Sequence, residues 1–463
     1  MPLYSKKDSK LSRRKFLGVS TAAAVGGIVG GLVVGAVGGY LAGQTSAPAL
    51  TVTETKATTV QATTTVTQTV GGLPPAPRTI KIGATVPLTG ATAPVFSKAG
   101  RVYEVTAELI NKRGGIWVEE YGTRLPVEVI YYDDKWDIPT VQKLFEKLCT
   151  TDNVDILLSP NGAENGRVAS LVAEKYKTPL VETSAGATAT YTRGNRYVVN
   201  SIDLVYWWMD NYLEMLKSEG QVKSLVGIGS DEDFGRDVLA GMKKKASELG
   251  FEVLYTELLP AGVKDFSPLI AKLRSLKPHV LIEVSNYIDE TVTFLKQVAE
   301  TNYRPQELHV AFGAYSFIQD AIPKEVANYM TADVWYIPTF PYEGVFGKSF
   351  YKKVEEMADA EFKRWPFIPI HFNALEIAVR AIELAGTLDK EKVTDTLHKM
   401  CIQTIMGTWR SQPYEIETET GEKLKVEGSG TIRTTPVQTV DGEPYIIWPP
   451  AIRERSHVLQ FAR

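Results

Sequence analysis

Thr79-Ile80-Lys81-Ile82-Gly83-Ala84-Thr85-Val86, followed by Pro87-Leu88-Thr89-Gly90 and by a run from Ser97 to Lys112 that stops at Gly114-Gly115, decides the fold. The first eight residues are β-rich and end at a Pro and a Gly. The run after them carries Val102, Val105 and Leu109 at helical spacing. The same alternation continues downstream. Strands are expected at Leu125 to Tyr132, Val154 to Ser159 and Pro179 to Glu182, with helices at Thr140 to Cys149 and Asn165 to Tyr176 between them. Near-continuous apolar strands separated by helices specify a parallel sheet covered on both faces, which makes one α/β lobe.

After Asn200 the rhythm restarts. Helices are expected at Tyr206 to Ser218, Gly235 to Leu249, Phe266 to Leu276 and Glu290 to Thr301. Strands at Lys223 to Gly229, Glu252 to Leu258, Val280 to Val284 and Glu307 to Phe312 alternate with them. A helical pair, Lys348 to Phe362 and Asn373 to Ala385, and a β-rich tail complete the chain. The expected fold class is therefore α/β, with two doubly wound parallel-sheet lobes joined by three crossings near Asn200, Ile337 and Gln412. Residues 79–200 and 335–412 form the first lobe and 201–334 the second, while 413–463 thread back across the junction and pack on the second.

The first 78 residues read differently. Lys6, Lys7 and Lys10 lead into Ser12-Arg13-Arg14-Lys15-Phe16-Leu17, and no charge follows until Glu54. A charged head before an apolar stretch is export architecture, and the paired arginines resemble a twin-arginine signal. Val19 to Ala42 is also long enough to cross roughly 30 Å of hydrocarbon. Residues 1–43 are thus a cleaved signal or a retained membrane anchor. No cysteine follows the small residues of Ala42 to Ala47, so a lipid-linked form is not supported. Residues 44–78, Thr-rich and closed by Pro74-Pro75-Ala76-Pro77, have too few large apolar side chains to order themselves and read as a linker.

Composition narrows the function. A chain of 463 residues with 44% apolar and 23% charged residues has material for two or three domains. Lys plus Arg number 51 against 54 Asp plus Glu, a net charge of -3, which leaves no basic excess for a nucleic-acid partner. Cys149 and Cys401 lie far apart, excluding a disulfide framework and a thiolate zinc site, with at most one bridge between them. The five histidines never fall at metal-ligand spacing. Gly344-Val345-Phe346-Gly347-Lys348-Ser349 is two residues short of a phosphate-binding loop, and no G-x-S-x-G elbow occurs. Asp133-Asp134 reads as a solvated loop rather than a metal site. Neither a catalytic site nor a cofactor is expected, and an α/β enzyme remains only a remote alternative.

Ligands of open parallel sheets sit beyond the carboxyl ends of the strands. The loops there are Pro87 to Gly90, Asp133 to Asp137, Ser159 to Gly166 and Thr183 to Thr188. Two of them are rich in small residues directly before a helix. Such a start exposes unpaired backbone N–H groups suited to a small carboxylate, although capping alone also explains those residue types.

Several runs carry a family resemblance: Ile82 to Gly90, Ile110-Asn111-Lys112-Arg113-Gly114-Gly115-Ile116, Tyr132-Asp133-Asp134, Asp231 to Gly235, Gly262 to Ser267 and Gly442 to Pro450. In order and spacing this set resembles the type I periplasmic binding proteins of the branched-chain amino acid and amide class, from Thr79 to about Ala451. The resemblance implies a two-lobed, monomeric, extracytoplasmic receptor that closes over a small solute and delivers it to ABC permease subunits. A sensory receptor with the same closure is the alternative.

The resemblance also implies a site. Gly162, Ala163 and Glu164, with Ser184, Gly186 and Thr188, correspond to the loops that hold the solute carboxylate. Val95 or Phe96 corresponds to an aromatic of the first loop, and Phe234 and Tyr287 cover the solute from the second lobe. The acidic partner of the ligand ammonium falls at Tyr315, which puts an α-amino acid in doubt. Glu164, Glu182 or Glu283 stands as a substitute. An amide, a carboxylate without an amine, or an aromatic compound stays open as the solute. Tyr206-Trp207-Trp208 and the run from Trp335 to Tyr342 place rings beside the crossings, as core packing or as cleft lining.

Overall fold

The computed structural model describes residues 76–90, 92–184, 186–359, 367–417 and 421–461. The expected signal or anchor at 1–43, and all but the last three residues of the linker at 44–78, lie outside the described residues.

The first lobe opens with β1 (Ile80–Val86), helix Lys98–Lys112, a hairpin of β2 (Ile116–Val118) and β3 (Thr123–Leu125), and β4 (Val127–Asp133). Then come β5 (Ile156–Leu158), β6 (Leu180–Glu182) and β7 (Val198–Asn200), with helices Ile138–Thr150 and Ala163–Lys175 as crossovers. The sheet order is β4-β1-β5-β6-β7, parallel throughout. Every β1 residue except Lys81 is buried, as a strand covered on both faces requires. Local chemistry sets the helix starts: Asp137 accepts from the Thr140 N–H at 3.0 Å, with a proline in the first turn.

The second lobe comprises β8 (Ser224–Ser230), β9 (Glu252–Leu259), β10 (Val280–Val284), β11 (Glu307–Val310) and β12 (Thr331–Val334). Helices Asp233–Leu249, Ser267–Leu276 and Ile288–Glu300 lie between them. The chain then returns to the first lobe. Helix Ile368–Ala385 packs on helix Lys98–Lys112 and on β2, β5 and β6. Hairpins of β13 (Cys401–Thr404) with β14 (Gly407–Arg410), and of β15 (Gln412–Glu417) with β16 (Lys423–Ser429), precede β17 (Thr435–Val440) and β18 (Glu443–Ile446). The last two strands extend the second sheet antiparallel, giving the order β18-β17-β12-β11-β10-β8-β9.

Some boundaries differ from expectation. The helix expected at Tyr206 to Ser218 is a 3-10 turn at Val205–Trp207 followed by helix Asp210–Glu219. Helix Lys348–Met357 is shorter than expected, and Ile368–Ala385 begins five residues early because a proline is tolerated in its first turn. Helix Lys390–Lys399 and the β2-β3 hairpin were not foreseen. The third crossing is not near Gln412. The β15-β16 hairpin buries Ile416 and Val426 in the apolar cluster of β7 and so stays with the first lobe. The passage falls at residues 429–434, where Gly430 N donates to Ile202 O at 3.0 Å and Asp203 N to Ile432 O at 2.9 Å. Cys149 is buried, Cys401 is exposed, and neither is bonded.

Where the first and third crossings meet, Arg433 is held between two carboxylates. Its Nε lies 2.8 Å from Asp203 and one terminal nitrogen 3.0 Å from Asp210, while Ser429 donates to the other Asp203 oxygen. The helix Asp233–Leu249 presses on the same region through Gly241. A β-carbon there would sit 1.6 Å from the Tyr206 carbonyl oxygen, so only glycine permits this approach.

Two predictions follow from this packing. Gly241→Ala must push a helix away from the first crossing, and we expect a loss of about 3 kcal/mol or more in denaturant unfolding. The second concerns pH. Burial pushes the carboxyls of Glu182, Glu283 and Glu376 up to about 8. Burial opposes the charge on His457, but Glu219 and Glu307 overcome it and raise its imidazole to about 9. The folded chain therefore holds protons that the unfolded chain has released, and stability is lost as pH rises through 8 and 9. His371, which burial lowers to about 4, acts oppositely but only below its unfolded value near 6.5. Tm should thus be higher at pH 6.5 than at pH 8.5, and Glu182→Gln should flatten the dependence; a Tm rising with pH across this range would contradict these assignments.

Candidate functional site

Between the lobes, at the carboxyl ends of both sheets, lies a cavity of about 280 Å³. Eight of the ten expected residues line it: Phe96, Gly162, Ala163, Glu164, Ser184 and Gly186 from the first lobe, Phe234 and Tyr287 from the second. The side chain of Val95 lies outside the described residues. Most of the wall is aromatic. Phe96, Trp136 and Phe367 face the cavity from one side, Trp208, Phe234 and Phe312 from the other, and Trp335 from the second crossing. Phe96 stacks on Trp136 at 5.1 Å between centroids and touches Phe367 at 4.9 Å. Trp208 meets Phe234 at 4.9 Å and Trp335 at 4.6 Å, both edge to face, and Phe312 approaches Phe367 across the lobes at 6.1 Å.

The Asp133-Asp134 pair explains how Trp136 gets there. It is not a solvated loop, because Asp134 is fully buried and both residues organise backbone. Asp133 Oδ1 accepts from Leu88 N at 2.9 Å, Thr89 N at 3.2 Å and Lys135 N at 3.1 Å. Asp134 accepts from the Thr85 hydroxyl at 2.7 Å and from Trp136 N at 2.9 Å. Burial pushes the Asp134 carboxyl up to about 6 against these donors. Lys135 and Trp136 are both left-handed, with φ of 55° and 60°, which these bonds stabilise. The indole then packs against Gly162, where a β-carbon would stand 2.7 Å from the ring. Gly162 has φ of 88° and starts helix Ala163–Lys175, whose first turn faces the cavity with no side-chain cap. Its free N–H groups are acceptor-seeking.

Behind this turn the buried His371 fixes two wall segments together. Its Nδ1 lies 2.7 Å from the Phe367 carbonyl oxygen and its Nε2 2.9 Å from the Asn161 side chain. In the second lobe, Glu232 caps helix Asp233–Leu249 by accepting from Phe234 N at 2.8 Å and Gly235 N at 3.1 Å, and also accepts from the Ser230 hydroxyl at 2.6 Å. Burial raises its carboxyl, yet Glu232 still lines the cavity.

Two expected residues do not line the cavity. Thr188 points its backbone N–H across the cleft to Asp237 Oδ2, at 2.6 Å. Tyr315 is buried one layer back, 6.5 Å from the Phe312 ring. The substitute carboxylates Glu182 and Glu283 are buried within their own lobes and also miss the cavity, leaving Glu164 and Glu232 as the acidic residues among its described lining. Arg167 of the first lobe and Asp233 of the second add a cross-cleft ion pair at 3.5 Å. Sequence reading did not place Trp136, Glu232, Asn286, Phe312 or Phe367 here. The signal for Trp136 was its place beside the carboxylate pair, and for Glu232 its capping position after β8. Phe367 follows a stretch without strand or helix periodicity and had no such signal.

Comparison with known proteins places this geometry. A sequence model described as periplasmic binding protein matches residues 79–416. A Leu/Ile/Val-binding protein homolog of Brucella suis is 25% identical over 332 residues, 70% of this chain and 80% of that protein. Among solved structures, a branched-chain amino acid transporter substrate binding protein from Streptococcus pneumoniae, in complex with isoleucine, superposes with a TM-score of 0.65. It is 16% identical, covering 79% of this chain and 98% of that one. An ABC transporter solute binding protein from R. palustris in complex with benzoate gives 0.61 at 16% identity, covering 80% and 95%. The match to the family model spans well over half of the sequence, and the two-lobed architecture agrees with it: the chain belongs to the periplasmic binding protein family.

Proposed function

We propose that the chain is a non-catalytic, extracytoplasmic receptor that captures a small solute between its lobes and presents it to the membrane subunits of an ABC importer. The observation that carries this reading is the cavity walled by both lobes, at the carboxyl ends of the parallel strands of two sheets joined by three crossings. Relatives that bind isoleucine and benzoate on the same fold support a small organic solute. Phe96, Gly162, Ala163, Glu164, Ser184, Gly186, Phe234 and Tyr287 contact it. The first turn of helix Ala163–Lys175 receives a carboxylate or carbonyl oxygen, and the aromatic wall excludes water around the rest. Thr188 acts in closure rather than contact. The Arg13-Arg14 signal exports the chain, and the linker at 44–78 spaces the receptor from the membrane wherever the signal is retained.

Closure needs a solute that touches both lobes, because equal affinity for open and closed forms shifts nothing. The contacts from Thr188 to Asp237 and from Arg167 to Asp233 add to that preference without touching solute. Mass spectrometry of solute released from denatured protein should identify a bound small molecule, and adding it back should lower the radius of gyration by X-ray scattering. Asp237→Ala leaves the Thr188 N–H unpaired on closure and should weaken calorimetric affinity by about 1 to 2 kcal/mol, roughly 5- to 30-fold. Unchanged affinity and unchanged compaction in this variant would remove Asp237 from the closure step.

A further inference from the structure

Charge and aromatic surface converge in the cavity in a way that selects a solute class. Seven Phe and Trp side chains line it, and the charged side chains among its described lining residues are two carboxylates, Glu164 and Glu232. No Lys or Arg is among those described lining residues. The neighbouring arginines are committed elsewhere, Arg167 to Asp233 at 3.5 Å and Arg236 to Asp231 at 2.8 Å. The field at Tyr287 agrees: burial raises its hydroxyl, and the negative charges of Glu232, Glu164, Asp231 and Glu290 raise it further. A plain aromatic acid would bring its anion into a cavity already carrying two carboxylates and walled by the negative faces of rings.

On the receptor reading above, we propose that the solute is a zwitterion with a quaternary ammonium head lodged among Trp208, Phe234, Phe312 and Trp335 near Glu232, and a carboxylate at the first turn of helix Ala163–Lys175. A primary ammonium has three N–H donors to satisfy. Glu232 already accepts from Ser230, Phe234 and Gly235, and ring faces accept poorly. A quaternary ammonium has no donor to satisfy. It loses little hydration on entry and is held by ring quadrupoles and the carboxylate field, as aromatic cages hold such cations. The helix start supplies the opposite polarity for the carboxylate.

The test isolates charge from shape. Trimethylglycine and 3,3-dimethylbutyrate have the same outline and differ by nitrogen against carbon at the branch point. Calorimetry on the mature chain should show trimethylglycine binding about tenfold or more tightly. It should also bind more tightly than glycine, isoleucine or benzoate. Glu164→Gln changes a half-buried side chain of nearly equal size, so the fold should survive, and it should shrink the preference for trimethylglycine over its carbon analogue. Equal affinity for the two analogues, no binding of trimethylglycine, or tighter binding of isoleucine or benzoate with compaction overturns the ammonium assignment while leaving the receptor reading intact. That reading fails separately if no solute of any class, including whatever is released on denaturation, compacts the protein.

Discussion

The guanidinium of Arg433, clamped between Asp203 and Asp210, is the constraint on which the two-lobed arrangement rests. Asp203 lies on the first crossing, Asp210 opens the first long helix of the second lobe, and Arg433 arrives on the third crossing. Three segments distant in sequence are thereby brought to one point. Asp203 is almost fully buried, and burial raises its carboxyl in spite of Arg433, so the pair is costly to desolvate and more costly to break. A buried ion pair of this sort adds little net stability over an apolar substitute. Its worth is in specifying geometry: it fixes which residues of the tail run beside residues 201–203, and through them where Trp208 and Trp335 stand.

That geometry was partly legible in the sequence. The parallel strands could be read because burial on both faces forces apolar runs, visible at Ile80–Val86 and Val280–Val284 without knowledge of their neighbours. The β15-β16 hairpin was harder. Its exposed and buried residues alternate, so its pattern says that it has one apolar face but not which lobe that face meets. The helix at Tyr206 failed for a related reason: its apolar spacing is helical, but the close approach of Gly241 to the Tyr206 carbonyl favours a tighter turn there.

Within the site, residues tied to a strand end or helix start were legible, since those positions follow from the fold. Gly162, Ala163 and Ser184 are of that kind, whereas Phe234 and Tyr287 were reached only through the family resemblance. Thr188 has the right residue type in the right loop, yet its N–H is spent on a protein acceptor, a choice made by tertiary contact alone. Asp133-Asp134 shows the converse. Two adjacent carboxylates look solvated by composition, but each is absorbed by backbone donors that the sequence does not bring near it. The aromatic wall gathers rings from seven separated segments, and its collective character belongs to no single motif.

The cross-cleft contacts have a consequence for how such a protein diversifies. Asp237 with Thr188, and Asp233 with Arg167, lie outside the cavity wall and so contribute identically whatever occupies it, including nothing. In the proposed closure they set the resting fraction of shut molecules, and that fraction multiplies the apparent affinity for every solute by one common factor. The wall residues set ratios between solutes. Overall sensitivity and discrimination are therefore carried by separate groups of side chains, so mutation at Asp237 or Arg167 retunes the working concentration range while the order of preference among solutes stays as the rings and carboxylates have fixed it.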